Sequence, residues 1–127
     1  MTKEELHNFR NLQARKNMLV SRLDDLILRS ASGLGSGVKG SGISKPVEDI
    51  TEKREKLEPR IKELENRLAE CKRYVDRTEE RDELIGTMIR LHYIQGKTWT
   101  AVAVRAGGNN TKDSVRKMCH RYIEKNP

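Results

Sequence analysis

Two charged segments of this chain carry apolar residues at alternating steps of three and four, which is the spacing of a narrow helical seam. In the first segment, residues 3–29, the seam consists of Phe9, Leu12, Leu19, Leu23 and Leu26. In the second segment, residues 47–78, it consists of Ile50, Leu57, Ile61, Leu64, Leu68, Cys71 and Val75. Glu, Lys and Arg fill most other positions. The pattern predicts two long amphipathic helices.

A stretch rich in glycine and serine, residues 30–45, separates the two seams and contains five glycines. Such a composition is typical of a flexible connector. The alternative, a loop that cradles phosphate, lacks a preceding strand and the GKS or GKT ending. Two helices of similar length joined by a short connector fold back most simply side by side. The sequence therefore predicts an antiparallel coiled-coil hairpin as a first domain, residues 1–78.

The composition limits the size of the core and the class of fold. Apolar residues and charged residues each make up 35% of the 127 positions, against about 45–50% and 25% in soluble globular domains. Only five residues are aromatic, which disfavours a β-sandwich or barrel. No run reaches the roughly 18 apolar residues of a membrane span, and the first residues lack the apolar stretch of a secretion signal. We expect an all-α cytoplasmic protein that does not enter membranes.

Residues capable of metal binding or catalysis do not cluster in the sequence. Cys71 and Cys119 are 48 positions apart, and the three histidines are scattered. Neither set has the spacing of a zinc site. We therefore expect two reduced thiols, no metal and no cofactor. No nucleophile with a base and no pair of catalytic carboxylates emerges, so the sequence favours a protein that is not an enzyme.

The C-terminal part, residues 79–127, contains the start and stop signals of three short helices. Residues 79–94 form the first, which Gly96 terminates. Thr98 is a candidate N-cap for a second helix, residues 99–106, and Thr111 for a third. The predicted inward positions are Leu84, Ile85, Met88, Ile89, Leu91, Tyr93, Trp99, Val102, Ala103, Ala106, Val115, Met118, Tyr122 and Ile123. Three helices joined by short turns predict a helix-turn-helix module.

The basic charge is concentrated in this module. The chain has a net charge of +7, and the segment from Lys97 to Lys125 holds seven basic residues against Asp113 and Glu124. The outward positions of the last helix are Lys112, Asp113, Ser114, Arg116, Lys117, His120 and Arg121. In a helix-turn-helix unit the last helix enters the major groove of DNA. The basic face and the expected DNA face therefore coincide, which predicts double-stranded DNA as the partner.

Residues 89–123 resemble the fourth-region helix-turn-helix of sigma factors. The whole chain resembles small phage and prophage late-transcription regulators of the ArpU and RinA type, in which this module follows a helical, coiled-coil-like half. The resemblance implies that promoter DNA is contacted by Thr111, Lys112, Asp113, Arg116 and Lys117. It also implies that Thr98 and Trp99 open the supporting helix. The turn at residues 107–110 is richer in glycine than the sigma-factor pattern.

These features together predict a sequence-specific DNA-binding regulator of phage or prophage transcription, associated with the host nucleoid. The coiled half would then form a homodimer or contact RNA polymerase, and the sequence leaves both open. The alternative is a packaging or scaffold component, similar to a small terminase subunit, in which DNA binding serves assembly.

Overall fold

The computed structural model of this chain describes residues 1–36 and 46–127. These residues form six α-helices and one π-helical segment, without any strand. The elements are α1 (Lys3–His7), α2 (Phe9–Ser36), α3 (Pro46–Arg81), α4 (Glu83–Ile89), the π-helix (Arg90–Ile94), α5 (Trp99–Ala106) and α6 (Lys112–Lys125). The predicted all-α fold class is therefore confirmed. Within the same residues, none of the helices is both long enough and apolar enough to cross a membrane.

The first predicted helix is divided and extended in the structure. Thr2 caps α1, because its hydroxyl accepts a hydrogen bond of 3.2 Å from the Glu5 amide, and Asn8 separates α1 from α2. The helix α2 continues to Ser36, so residues 30–36 of the predicted connector are helical. The remainder of that predicted connector, residues 37–45, lies outside the described residues.

The predicted helix over residues 79–94 ends where expected, at Ile94, but it begins later and is not α-helical throughout. Residues 79–81 belong to α3, and the Asp82 carboxylate caps a new helix by accepting a 3.1 Å hydrogen bond from the Ile85 amide. The last five residues of the segment are π-helical. Leu84 lies in the first turn of α4 and is 48% exposed, contrary to the prediction that it faces inward, whereas Met88 and Ile89 are buried as predicted.

The chain forms two compact units, and their bounds differ from those of the predicted domains, residues 1–78 and 79–127. One unit, which we call the core unit, combines residues 1–12 with residues 67–127. The other, the hairpin unit, comprises residues 13–66. The difference arises because apolar residues at the start of α1 and α2 and at the end of α3 are buried with those of α4 to α6.

The hairpin unit is held together by a small apolar cluster. Leu26 of α2 is buried with Leu57 and Ile61 of α3. Nearer the start of α2, Lys16 lies 3.9 Å from Glu65 near the end of this part of α3. Since the pairing runs forward along α2 and backward along α3, the two helices of this unit are antiparallel.

The core unit contains most of the buried apolar side chains. Its cluster includes Leu6, Phe9, Leu68, Cys71, Tyr74, Val75, Met88, Ile89, Leu91, Tyr93, Val102, Ala103, Val115, Cys119 and Ile123. Both cysteines are buried and not bonded to each other, as expected. Loss of hydration raises the pKa of the Cys119 thiol to about 12, so this side chain behaves as a small apolar group.

Candidate nucleic-acid interface

The last helix, α6, begins at the predicted cap. Thr111 is extended, with φ of −107° and ψ of 165°. Its hydroxyl accepts a hydrogen bond of 3.2 Å from the Ser114 amide, which satisfies one of the free amides at the helix start. Asp113 lies in the first turn, where the helix dipole favours a negative charge.

Burial of one face fixes the rotation of α6. Val115, Cys119 and Ile123 are all buried in the core unit, at spacings of four residues. Of the predicted DNA-contacting residues, six are exposed, namely Thr111, Lys112, Asp113, Arg116, Lys117 and Arg121. The other two, Ser114 and His120, are half-buried. The sequence therefore placed the basic residues on the solvent side of this helix correctly.

Arg116 is not isolated on this face. One of its terminal nitrogens lies 3.1 Å from a carboxylate oxygen of Asp113, one turn earlier, and the two side chains are 44% and 61% exposed. An ion pair this exposed contributes about 0–1 kcal/mol. The pair therefore orients the guanidinium along α6 while leaving it able to exchange Asp113 for another acceptor.

The turn between α5 and α6 depends on its glycines. Gly107 and Gly108 have φ angles of +74° and +65°, which L-residues with side chains rarely adopt. Asn109 and Asn110 follow these glycines, and asparagine is the residue type besides glycine that best tolerates positive φ in turns. The positive angles instead fall on the glycines, and Asn110 supports the turn through its side chain, whose amide donates a 2.8 Å hydrogen bond to the Gly107 carbonyl.

A cluster of aromatic rings joins the π-helix, α5 and α6. The rings of His92 and Trp99 are stacked, with centroids 3.8 Å apart and planes inclined by 16°. Tyr93 and His120 each meet Trp99 edge-on, at 5.9 Å and 5.8 Å. Atom Nδ1 of His92 is 2.7 Å from the Lys97 carbonyl oxygen. These contacts pack the start of α5 against the π-helix and against the middle of α6.

Burial also sets the charge state of the two histidines in this cluster. It lowers the pKa of His92, an effect that the hydrogen bond to the Lys97 carbonyl partly opposes. It likewise lowers the pKa of His120, and the nearby charges of Lys3 and Arg116 act in the same direction. Both rings are therefore biased toward the neutral form, and the positive charge of the α6 face comes from its lysines and arginines.

Residues 1–12 contribute to the core that buries the apolar face of α6, and the sequence pattern does not predict this contribution. Leu6 and Phe9 are at most 1% exposed and pack into the same core as α6. The guanidinium of Arg10 occupies the space beside Gly96 that a side chain there would need. The spacing of Leu6 and Phe9 suits a hairpin seam equally well, so no local signal distinguishes the two arrangements.

Arg90 fixes the π-helix to the end of α3. Its guanidinium donates hydrogen bonds of 2.5 Å to the carboxylates of Glu79 and Asp76. These bonds, chiefly the one to Glu79, raise the pKa of Arg90. The π-helix is thereby attached to α3 through these ion pairs and through the apolar core.

The described part of the chain contains no group of three or more His, Cys, Asp or Glu side chains placed to hold a metal ion. Comparison with protein-family models, with curated proteins and with solved structures returns no match. The chemistry of this interface must therefore be argued from its own residues, namely a capped helix with a buried apolar face and a basic outer face.

Proposed function

We propose that this protein is a sequence-specific DNA-binding regulator of transcription in a phage or prophage. The observation that carries the proposal is the orientation of α6. Its apolar face is buried through Val115, Cys119 and Ile123, and its exposed face carries basic side chains. The preceding helix, α5, is also capped by a threonine. The basic side chains of α6 are Lys112, Arg116, Lys117 and Arg121.

The basic residues can do two different kinds of work on DNA. Lysines contact phosphates as point charges, which adds affinity at any sequence and makes that affinity depend on salt. An arginine can donate two hydrogen bonds to the O6 and N7 atoms of guanine, which adds discrimination between sequences. Arg116 follows the buried Val115 on α6 and is already held by Asp113, so we assign base reading to Arg116 and phosphate contact to Lys117.

The position of α6 relative to α5 supports this proposal. The glycine turn at residues 107–108 connects the two helices, and the edge-on contact between Trp99 and His120 joins them. A recognition helix must enter the major groove at a defined angle to reach base edges. In this proposal the hairpin unit supplies the surface for a second copy or for RNA polymerase.

The proposal is tested with the triple variant Lys112→Ala, Arg116→Ala and Lys117→Ala. Genome-wide binding of the tagged wild-type chain first identifies the preferred site, and a peak at a promoter is expected. A peak at a packaging site would instead favour a role in assembly.

On that site the triple variant should lose more than the about 1–3 kcal/mol expected of the base contact by Arg116, because the phosphate contacts of Lys112 and Lys117 are lost as well. The exposed Lys62→Ala on α3 serves as the control and should bind like the wild type. If the triple variant binds as tightly as the wild type at moderate salt, this face is only a solvated surface.

A further inference from the structure

The hairpin unit carries a second basic surface, formed without any residue of α6. A groove of about 340 Å³ lies between its two helices. From α2 the groove is lined by Arg22, Leu26 and Arg29, and from α3 by Lys53, Leu57 and Arg60. All six side chains lie within residues 13–66, so the groove belongs to one compact unit.

The two walls repeat the same pattern. Each helix contributes residues at positions i, i+3, i+4 and i+7, which form one face over two turns, or about 10 Å. In both helices, positions i and i+7 are basic and position i+4 is leucine. The intermediate i+3 positions are Asp25 and Lys56. Basic side chains therefore line both walls, and the buried Leu26 and Leu57 lie between them.

The cations of this groove lack the acidic partners that two other basic residues of the unit have. Lys16 lies 3.9 Å from Glu65, and Arg54 lies 3.3 Å from Glu58. The five groove cations form no ion pair with another described side chain, and Asp25 is the one acidic side chain among the described residues that line the groove. Like charges this close repel one another. An anionic partner would relieve that repulsion.

We propose that this groove binds an acidic amphipathic helix of a partner protein. A helix lying between two antiparallel helices buries its apolar face on the apolar surface between them. Here Leu26 and Leu57 are 7% and 9% exposed, so the aliphatic stems of the lining lysines and arginines complete that surface. Carboxylates on both flanks of the bound helix then meet Arg22 and Arg29 on one wall and the α3 cations on the other. The two-turn length of the pattern matches a short helical segment.

Two other occupants fit the groove less well. A DNA duplex is much wider than a groove between neighbouring helices, so it would contact the rim cations and leave the apolar floor uncovered. A second copy of the same groove would place like charges opposite each other, which disfavours a self-complementary dimer through this face. The proposal does not depend on DNA binding by α6.

The test uses the full chain and two synthetic peptides of about 14 residues, roughly twice the length of the two-turn pattern. The first peptide carries leucines on one helical face and glutamates on both flanks. The second has the same composition with the leucines dispersed around the helix. Binding is measured by fluorescence anisotropy, and circular dichroism monitors the fold of each variant.

The groove variant is Lys53→Glu, Lys56→Glu and Arg60→Glu. Its matched control reverses three exposed charges elsewhere on α3, namely Lys62→Glu, Lys72→Glu and Arg73→Glu. We expect the first peptide to bind the wild type and the control alike and to bind the groove variant at least about tenfold more weakly. Replacing the same three groove residues by Gln should also weaken binding of the first peptide. This neutral variant replaces the charge-reversed one in the test if the charge-reversed chain loses helicity.

Equal binding of the two peptides would overturn the proposal, because it would show attraction by charge alone. Failure of the first peptide to bind the wild type would also overturn it. So would a groove variant that keeps the peptide but loses affinity for a random-sequence DNA duplex, which would assign the groove to nucleic acid.

Discussion

At the scale of single residues, Arg116 and Lys117 are neighbours on α6 with different expected effects on DNA binding. Arg116→Ala should weaken binding to the specific site by about 1–3 kcal/mol and leave binding to random DNA nearly unchanged. Lys117→Ala should weaken both alike and reduce the salt dependence by about one phosphate contact. Titrations of each variant at several salt concentrations separate the two cases. An equal effect of Arg116→Ala on both DNAs would remove its base-reading role.

His92 makes the stability of the core unit depend on pH. Burial lowers its pKa below 6.5 in the folded chain, so near that pH the unfolded chain binds more protons than the folded chain. Stability should therefore fall as the pH decreases from about 7.5 to 5.5. His92→Phe keeps a ring against Trp99 but cannot be protonated, so its urea midpoint should change less between these pH values.

His120 shares the lowered pKa and should leave a residual slope in that variant. Losing the hydrogen bond to the Lys97 carbonyl should also lower the stability of His92→Phe at pH 7.5, by about 1 kcal/mol. If wild type and variant have the same slope, protonation of His92 does not contribute.

At the scale of helices, the close approach of α4 to α3 depends on Gly86. A Cβ atom there would lie 2.6 Å from both the backbone nitrogen and the Cα of Glu79, and these backbone atoms cannot move independently. In an unhindered helix, Gly→Ala would be stabilising by about 1 kcal/mol. We expect Gly86→Ala to destabilise the chain instead, by about 1–2 kcal/mol, because overpacking outweighs propensity.

Thermal unfolding measures this effect, and the exposed neighbour provides the control. Thr87→Ala should change stability by no more than about 0.5 kcal/mol. A more stable Gly86→Ala variant would show that the two helices are not packed this closely in solution.

The helices that the sequence predicted best are those with local end signals. The predicted bounds of α5, the start of α6 and their caps agree with the structure, because Thr98 and Thr111 act within their own first turns. The sequence missed the end of α3 at Arg81. Asp82, which caps α4, is preceded and followed by charged and apolar residues that continue the helical pattern, so it does not stand out as a cap. For the candidate interface, it identified the exposed face of α6 but not the His92–Trp99 stack, because a single histidine gives no spacing signal.

At the scale of the whole molecule, the composition of the core unit could not be predicted from periodicity. Phe9 is 1% exposed and packs in the same core as residues of α6, more than a hundred positions later. Phe9→Ala should therefore destabilise this unit by about 3–5 kcal/mol. Denaturant unfolding followed by the fluorescence of Trp99, the single tryptophan, reports on this unit directly.

Leu28→Ala is the matched control for this substitution, since Leu28 is 65% exposed and lies in the hairpin unit. Its effect on the Trp99 transition should be within about 0.5 kcal/mol. An unchanged transition in Phe9→Ala would exclude residues 1–12 from the core unit.

The discontinuous core unit has a consequence for synthesis on the ribosome. Residues 13–66 can pair as soon as they emerge, whereas Leu6 and Phe9 find part of their apolar surroundings only when Val115 and Ile123 have been made. Until then these early side chains remain exposed to water and to other nascent chains. Nascent chains arrested before α6 would therefore lack a closed core in this unit.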